Sequence, residues 1–475
     1  MATTNGNRKL LDLKRWEQLS PAPNATQAGA FIASSRHFRQ QQLYVRALSE
    51  AYLYSPFEDG WITIPSPALA GTFGAGAAGV ASSFGAGAAV ASSLTATGGT
   101  TSTIITNQTL ARSLAGYKVH ILSGPNAGVT LDIVSNTVGT NATITVATQA
   151  SAFTASTVYR LCTPVWYVLG AGTLASGSFK KYDFATNTWV TLAHAGLAAT
   201  LGTDGKLIST PSFLNNDYKV FATGTATSAT GTTLVNSGKA WATNQWANSQ
   251  VRIVSGTGAG QIRSITSNTG TTLTVPTWTT TPDATSVYNI EGNDDYLYYM
   301  GNNAVTLYRY SITSNTWSTL SPTAARAGAA VAGMSAHWVY GVTNAAWTAE
   351  NAIINGQRIY SFRGNGALLD YYDIALNTWV SGVIYSPAVE SFGSGSKYTY
   401  LNDKIYIQIN NNNRWFEYDI PTQNMMGWTT MPVVQSTGVV GDTAFDATYY
   451  DGATEINYVY MLLNTSTLMY RQMVI

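Results

Sequence analysis

Tyr308-Arg309-Tyr310-Ser311-Ile312-Thr313-Ser314-Asn315-Thr316-Trp317 is the stretch that decides the fold. Aromatic and aliphatic side chains alternate with polar ones, the period of a half-buried strand. The Ser-Asn-Thr step supplies an asparagine, which tolerates the positive φ of a tight hairpin turn. A second strand then opens on Trp317. The same phrase recurs as Lys181-Tyr182-Asp183-Phe184-Ala185-Thr186-Asn187-Thr188-Trp189 and as Asp370-Tyr371-Tyr372-Asp373-Ile374-Ala375-Leu376-Asn377-Thr378-Trp379, with a looser copy from Phe416-Glu417-Tyr418-Asp419-Ile420 to Trp428. Trp61, in Gly60-Trp61-Ile62-Thr63, and Trp16, in Arg15-Trp16-Glu17, extend the series of Trp-marked strands at the N-terminal end.

Each hairpin is preceded by another apolar strand: Trp166-Tyr167-Val168-Leu169, Tyr296-Leu297-Tyr298-Tyr299-Met300, Arg358-Ile359-Tyr360-Ser361-Phe362, Lys404-Ile405-Tyr406-Ile407 and Tyr458-Val459-Tyr460-Met461. Runs of small residues follow most of the tryptophans: Ala28–Ala33, Ala86–Ala91, Ala195–Ala199 and Ala327–Ala332. Small side chains recurring at one point of a cycle mark a close approach of backbones, so these runs are expected to form an innermost Ala/Gly wall. With that inner strand, each unit has four strands. The order of strand, glycine, turn, Tyr and then Asn-x-Trp resembles the Kelch repeat, with its double glycine degraded to Gly170-Ala171-Gly172, Gly301-Asn302 and Gly364-Asn365-Gly366 and missing after Ile407 and Met461. The resemblance implies blades of a β-propeller. The C-terminal segment Tyr458 to Ile475 lacks a Trp strand and Trp16 lacks preceding strands, so the N-terminal strand is expected to complete the last blade and remove the free edges. The predicted fold is all-β: a six-bladed Kelch-like β-propeller closed by the N-terminal strand, with two inserted homologous small β-domains.

The inserts are read from spacing. Most Trp intervals approach the roughly 40–50 residues of one blade, but Trp61 to Trp189 and Trp189 to Trp317 are far longer. The excess is a duplication. Val119-His120-Ile121-Leu122-Ser123-Gly124-Pro125-Asn126-Ala127-Gly128 matches Val251-Arg252-Ile253-Val254-Ser255-Gly256-Thr257-Gly258-Ala259-Gly260, and Ser156-Thr157-Val158-Tyr159 matches Thr285-Ser286-Val287-Tyr288. The expected organisation is 1–93 (N-terminal arm, closing strand, blade 1 and the inner strand of blade 2), 94–162 (module 1), 163–221 (rest of blade 2 and start of blade 3), 222–291 (module 2) and 292–475 (rest of blade 3 and blades 4–6). Both modules interrupt neighbouring blades at the same point and are expected to emerge on one face. Residues 71–93 carry a short repeat of their own, Phe73-Gly74-Ala75-Gly76 and Phe84-Gly85-Ala86-Gly87, read as a linker with one inner strand or as a packed ribbon at a subunit contact.

Composition narrows the function. Charged residues are 10% of the chain, against about 25% in average globular proteins, and Lys+Arg 25 balance Asp+Glu 24 to a net charge of +1. No basic face exists to displace counterions from a nucleic acid, so any DNA contact would be non-specific proximity. The single cysteine, Cys162, can form neither an internal disulfide nor a zinc cluster. No apolar signal core opens the chain and no stretch suits a membrane span, so membrane insertion is not expected.

His37, His120, His194 and His337 fall in unrelated elements, and His120 is Arg252 in the sister module, which argues against a copper or other metal site. No sialidase box occurs. The acidic pairs Glu58-Asp59 and Asp294-Asp295 sit at turns where acids usually solvate a loop, whereas glycoside hydrolysis needs facing carboxylates. Ser255-Gly256-Thr257-Gly258-Ala259-Gly260 has no following Lys-Ser/Thr and reads as a tight turn rather than a phosphate loop. The expectation is no enzyme: catalytic residues none, cofactors none, metal none. Most Tyr and Trp residues occupy blade-periodic positions and are assigned to the core.

The stretch Gln250 to Ile290 resembles a module recurring in tailed-bacteriophage virion proteins. The earlier copy departs from it, with Val129 for Gln261, Leu131 for Arg263 and no counterpart of Pro282-Asp283. The resemblance implies a structural virion component assembled in the host cytoplasm, in a tail or neck ring or nozzle-type protein around the DNA channel. Its expected partners are other phage structural proteins and copies of itself in a cyclic homo-oligomer. The alternative is a receptor-binding or adhesin-like propeller that grips a host-surface glycan.

Overall fold

A computed structural model describes residues 15–33, 41–71, 77–82, 93–202, 205–209, 220–301, 305–326, 336–339, 358–362, 368–383, 396–401, 404–409, 411–420, 422–434, 443–451 and 454–474. All regular structure among them is β. Six four-stranded antiparallel meanders carry the chain. Sheet I runs Phe31–Ala33, Gln42–Ala47, Glu50–Ser55, Gly60–Thr63, and sheet II runs Ala78–Ser82, Val165–Leu169, Phe179–Asp183, Thr188–Thr191. Sheet III is Lys206–Ser209, Tyr296–Met300, Tyr308–Ser311, Thr316–Thr319, and sheet IV is Ala336–Val339, Arg358–Phe362, Leu369–Asp373, Thr378–Val383. Sheet V is Lys397–Leu401, Lys404–Gln408, Arg414–Asp419, Asn424–Thr430.

Sheet VI joins both ends of the chain: Ala444–Asp451, Thr454–Leu462 and Met469–Val474 are followed in space by Glu17–Gln18. Glu17 faces Arg471 and Gln18 faces Tyr470, with the Glu17 carboxylate accepting from Arg471 Nε at 2.8 Å. The first strand of sheet I lies against those of sheets II and VI, that of sheet III against those of II and IV, and that of V against that of VI. Apolar clusters fill the spaces between consecutive sheets. Tyr44 and Tyr54 of sheet I pack with Phe445 and Tyr460 of VI, Phe179 of II with Tyr310 and Trp317 of III, and Phe362 of IV with Tyr398 and Tyr418 of V. Each face of a meander is therefore buried against its neighbour, which is why the strands carry aromatics on both sides.

The repeated Tyr, Asn, Trp phrase is a latch built from one turn. Asn187, Asn315 and Asn377 have φ of 55, 52 and 49°. Their side-chain oxygens accept from the hydroxyl of the tyrosine five residues earlier, Tyr182 at 2.5 Å, Tyr310 at 2.6 Å and Tyr372 at 2.7 Å. Each tyrosine faces the tryptophan across the hairpin, with ring centroids 5.1, 5.1 and 5.6 Å apart. Asn315 also accepts from the amide of Ala193 at 3.0 Å, tying the turn to the connection that arrives from sheet II. Sheet I repeats the device with an acid. Asp59, φ 47°, accepts from Tyr54 Oη at 2.8 Å and from the amide and hydroxyl of Ser20 at 3.0 and 3.1 Å. Asp59 is a clamp on the N-terminal segment rather than a solvated turn acid.

Replacing Asn315 with alanine removes the acceptor and the side-chain amide that makes a positive φ tolerable; the expected loss is about 2–3 kcal/mol in urea unfolding. Asn315→Gly restores the backbone freedom alone and is expected to recover about 1 kcal/mol of it. Equal losses for the two variants would remove φ from the explanation.

The structure corrects three readings. The first strands of sheets II and III are Ala78–Ser82 and Lys206–Ser209, not Ala86–Ala91, which lies outside the described residues, nor Ala195–Ala199. The inner wall is therefore not uniformly Ala/Gly. Small residues are needed instead where a connection crosses the next hairpin: a Cβ on Gly196, φ 101°, would lie 2.4 Å from the Trp317 carbonyl oxygen. Close approach does govern one inner strand, where a Cβ on Gly79 would meet the Phe31 ring at 2.4 Å.

In sheet V the partner of Tyr418 is Met425, fully buried, and not Trp428. Trp428 sits unpaired at a register shift between Trp415 and Phe416 and packs on Tyr406, Trp415 and Trp16, with centroids 4.6, 5.9 and 6.0 Å away. Trp16 thus packs on sheet V while the strand after it pairs in sheet VI. Finally, Asp294 is buried rather than solvated, as described below. His37, the repeat at Phe73–Gly76 and Phe84–Gly87, the run Ala327–Ala332 and the side chain of His337 lie outside the described residues.

Candidate functional site

The two inserts leave sheets II and III at the same place, between the first and second strands. Module 1 is a closed six-stranded barrel of Leu94–Gly99, Thr103–Thr106, Lys118–Ser123, Thr130–Asn136, Thr143–Val146 and Val158–Cys162. Alternation fills it: Leu94, Ala96, Ile104, Val119, Ile121, Ile133, Ile144, Tyr159 and Leu161 are buried inside. Module 2 holds its strands in two four-stranded sheets. One contains Val220–Thr225, Val287–Glu291, Gln250–Ser255 and Ile262–Ser264, and the other Ser228–Thr230, Thr233–Val235, Thr272–Thr274 and Ser267–Asn268.

The duplication is visible in the register. Val119 faces Leu131 and His120 faces Thr130, as Val251 faces Arg263 and Arg252 faces Ile262. Val158 faces Ser123 and Tyr159 faces Ile121 around an irregularity that recurs where Val287 faces Ser255 and Tyr288 faces Ile253.

The repeated glycine turns hold the modules together. A Cβ on Gly260, φ 88°, would lie 2.6 Å from the carbonyl oxygen of Leu122 and 2.8 Å from the amide nitrogen of Gly128. Reciprocally, a Cβ on Gly128, φ 88°, would lie 3.3 Å from the amide nitrogen of Gly260 and 3.4 Å from the carbonyl oxygen of Val254, the residue equivalent to Leu122. Each copy therefore offers the same surface to the other, the arrangement of a two-fold dimer inside one chain. The glycine run is a tight turn, as its sequence suggests, but it is also a docking surface.

Beneath this clasp lies a buried polar layer. Arg252 and Glu291 of module 2 form an ion pair at 3.1 Å, with Gln250 Nε2 donating to the same carboxylate at 3.0 Å. Their counterparts in module 1 are His120, Cys162 and Lys118. His120 is fully buried with Nδ1 2.9 Å from the Thr130 hydroxyl. Burial, reinforced by the Arg252 and Arg160 charges, pulls its pKa down to about 3. Burial pushes the Cys162 thiol up to about 12, so it is an inert core thiol. Arg160 reaches out of module 1 to Asp294, Nη1 to Oδ2 3.6 Å, and burial holds the Asp294 carboxyl up at about 7 against the pull of that guanidinium.

His120 gives a pH prediction. Its folded pKa lies below the ordinary 6.5, so its protonation favours the unfolded state, and the loss begins as pH falls through 6.5 and saturates below about 3. Asp294 titrates in the opposite sense over part of that range, so the wild type is compared with His120→Gln. At pH 4 the variant is expected to gain about 3 kcal/mol on the wild type relative to pH 7.5. A pH-independent difference in urea unfolding would show that His120 is not held neutral.

Beside the clasp the modules enclose a cleft of about 610 Å³ lined from one side by Ser93, Leu122, Ser123, Ala127, Val158 and Arg160, and from the other by Gly256, Gly258, Ala259, Gly260, Gln261, Ile262, Arg263, Thr279 and Thr280. Arg263 lies over the Trp278 ring at 5.5 Å, donates from Nε to the Thr277 carbonyl at 3.0 Å and from Nη2 to the Thr279 hydroxyl at 2.9 Å, and forms no ion pair among the described residues. Gln261 closes the hairpin behind it, accepting from the amides of Thr279 and Thr280. A smaller groove of about 360 Å³ follows the sheet V irregularity, lined by Arg414, Trp415, Phe416, Gly427, Trp428, Thr429 and Thr430.

Three of the four acids in the pairs have partners of their own. Asp59 is engaged with Tyr54 and Ser20, Asp294 with Arg160, and the Asp295 carboxylate with the Ser311 hydroxyl at 2.7 Å and the Thr313 amide at 2.6 Å. His120 and His194 lie in different elements, and no group of three or more His, Cys, Asp or Glu is gathered among the described residues. Sequence reasoning missed the cleft and the buried Arg160–Asp294 pair, which arise only when the twins are brought face to face.

No protein-family model matches the chain, and no curated protein matches it. Among solved structures it is similar to a chain in the crystal structure of a mitotic checkpoint complex, with a TM-score of 0.35 and 8% identity over 100% of this chain and 95% of that one. It is also similar to Myxococcus xanthus glutaminyl cyclase, with a TM-score of 0.24 and 12% identity over 54% of this chain and 97% of that one. Likenesses this distant bear on neither mechanism nor partners.

Proposed function

We propose that the six meanders form a six-bladed, Kelch-like propeller sealed by the N-terminal strand, and that the protein is a structural component of a tailed-phage virion. In this reading it sits in a tail or neck ring or nozzle, where copies meet head to tail around the DNA channel. The observation that carries the reading is the clasp. Two modules rooted on neighbouring sheets are locked by reciprocal glycine turns into one unit, which suits a part that transmits contacts between subunits. The resemblance of Gln250–Ile290 to virion modules supplies the setting, and the near-zero net charge suits a surface that lines a DNA passage without gripping it.

The test is mass and particle content. Native mass spectrometry of the purified chain, alone and with tail and neck proteins encoded beside it, is expected to show closed cyclic oligomers, and purified particles are expected to contain the chain. A protein that stays monomeric under all these conditions and is absent from particles would refute the proposal. One observation favours a second reading as a host-glycan receptor, namely the Trp428 groove with Arg414 and Thr429 on its walls. Glycan-array binding by a chain that still assembles would support it.

A further inference from the structure

We propose that the cleft between the two modules is a binding site for a small oxyanion-bearing molecule, a carboxylate, phosphate or sulfate carried on a hydroxylated body. The proposal does not rest on the ring reading given above.

Two arginines, Arg160 from module 1 and Arg263 from module 2, line one cavity of about 610 Å³. The duplication makes this notable. The residue equivalent to Arg160 is Asn289 and the residue equivalent to Arg263 is Leu131, so each twin contributes a cation at a position where the other has none. Arg160 is paired with Asp294 at 3.6 Å, too long for a tight hydrogen-bonded pair, and Arg263 is held in place by neutral oxygens and the face of Trp278. A half-buried guanidinium fixed by carbonyls keeps its whole charge available, and the second cation across the cavity adds to the same potential. The remaining wall supplies hydroxyls from Ser93, Ser123, Thr279 and Thr280, groups that suit an anion carrying alcohol functions. The walls are already fixed: the glycine clasp sets one end of the cleft and the Gln261 bonds to Thr279 and Thr280 set the other, so little ordering is lost on binding.

The experiment is calorimetric titration of the full-length protein with four probes, namely inorganic phosphate, inorganic sulfate, galacturonate and N-acetylneuraminate, in a chloride-containing zwitterionic buffer. At least one is expected to bind with a millimolar or lower Kd, and the pattern separates a free inorganic anion from an acidic sugar. Arg263→Gln is expected to weaken that binding about tenfold or more, and Arg263→Lys less. Ala127→Trp, which fills the cavity and leaves both arginines, is expected to abolish it and guards against a folding defect in the arginine variant. No heat with any probe at tens of millimolar would overturn the proposal. Binding indifferent to Arg263→Gln and Ala127→Trp, or equal for all four anions and erased by chloride, would overturn it as well. Ring assembly is read separately by mass, so either proposal can fail alone.

Discussion

Gly260→Ala is expected to open the clasp and lower the stability of the module pair by about 2–5 kcal/mol. The added methyl meets the Leu122 carbonyl at 2.6 Å and the Gly128 amide at 2.8 Å, and both are backbone atoms that cannot swing aside. The φ of 88° adds a penalty of about 1–2 kcal/mol for any residue with a Cβ, and forcing the two turns apart adds about 1–3 kcal/mol. Calorimetric melting measures the sum, and hydrogen exchange locates it: amides of 118–129 and 250–262 should lose protection while the Tyr–Asn turns of the meanders keep theirs. Gly270→Ala is the control, since its Cβ would meet nothing nearer than the Trp241 carbonyl at 3.6 Å. If the two variants melt alike, the modules are not held by these turns.

A chain begun at Gln27 is expected to lose its monodisperse state. The removed segment donates amides from Leu19, Ala22 and Thr26 to the carbonyls of Met469, Thr467 and Ser466 at 2.9, 2.8 and 3.0 Å, and it seats Trp16 on Trp415 with centroids 5.3 Å apart. Lost burial of Trp16, Leu19 and Ala22 with the lost bonds amounts to roughly 5 kcal/mol or more. The larger consequence is an unpaired edge along Met469–Val474, which invites pairing between chains. Light scattering should show association. A synthetic peptide of residues 15–30 should suppress it by adding back the strand. A truncated chain that melts like the parent and keeps the parent's mass would show that the N-terminal strand is dispensable.

The Tyr, Asn, Trp latch was legible because it is local: alternation, a turn asparagine and a cross-strand aromatic pair all lie within ten consecutive positions such as Tyr308–Trp317. The modules were legible because comparing the chain with itself needs no outside reference, and the matched register of His120 and Arg252 shows how faithful the copies are. What the sequence hid depends on contacts between distant segments. Small runs such as Ala195–Ala199 satisfy two different needs, an inner strand or a crossing over the next hairpin, and only Gly196 against Trp317 distinguishes them. The place of Met425, by contrast, could be read from spacing, since it stands seven residues after Tyr418 as Trp189 does after Tyr182. Asp294 looks like a turn acid until Arg160 arrives from module 1.

The pairing of Glu17 with Arg471 spans 454 positions of chain. During synthesis the early strand must therefore wait for its partner until Met469–Val474 has left the ribosome. Sealing this sheet is a long-range closure whose entropic cost grows only slowly with loop length but whose delay exposes a sticky edge. A cell making this protein quickly would gain from a chaperone that shields the waiting segment, and slow translation of the final sheet would lengthen the period of risk.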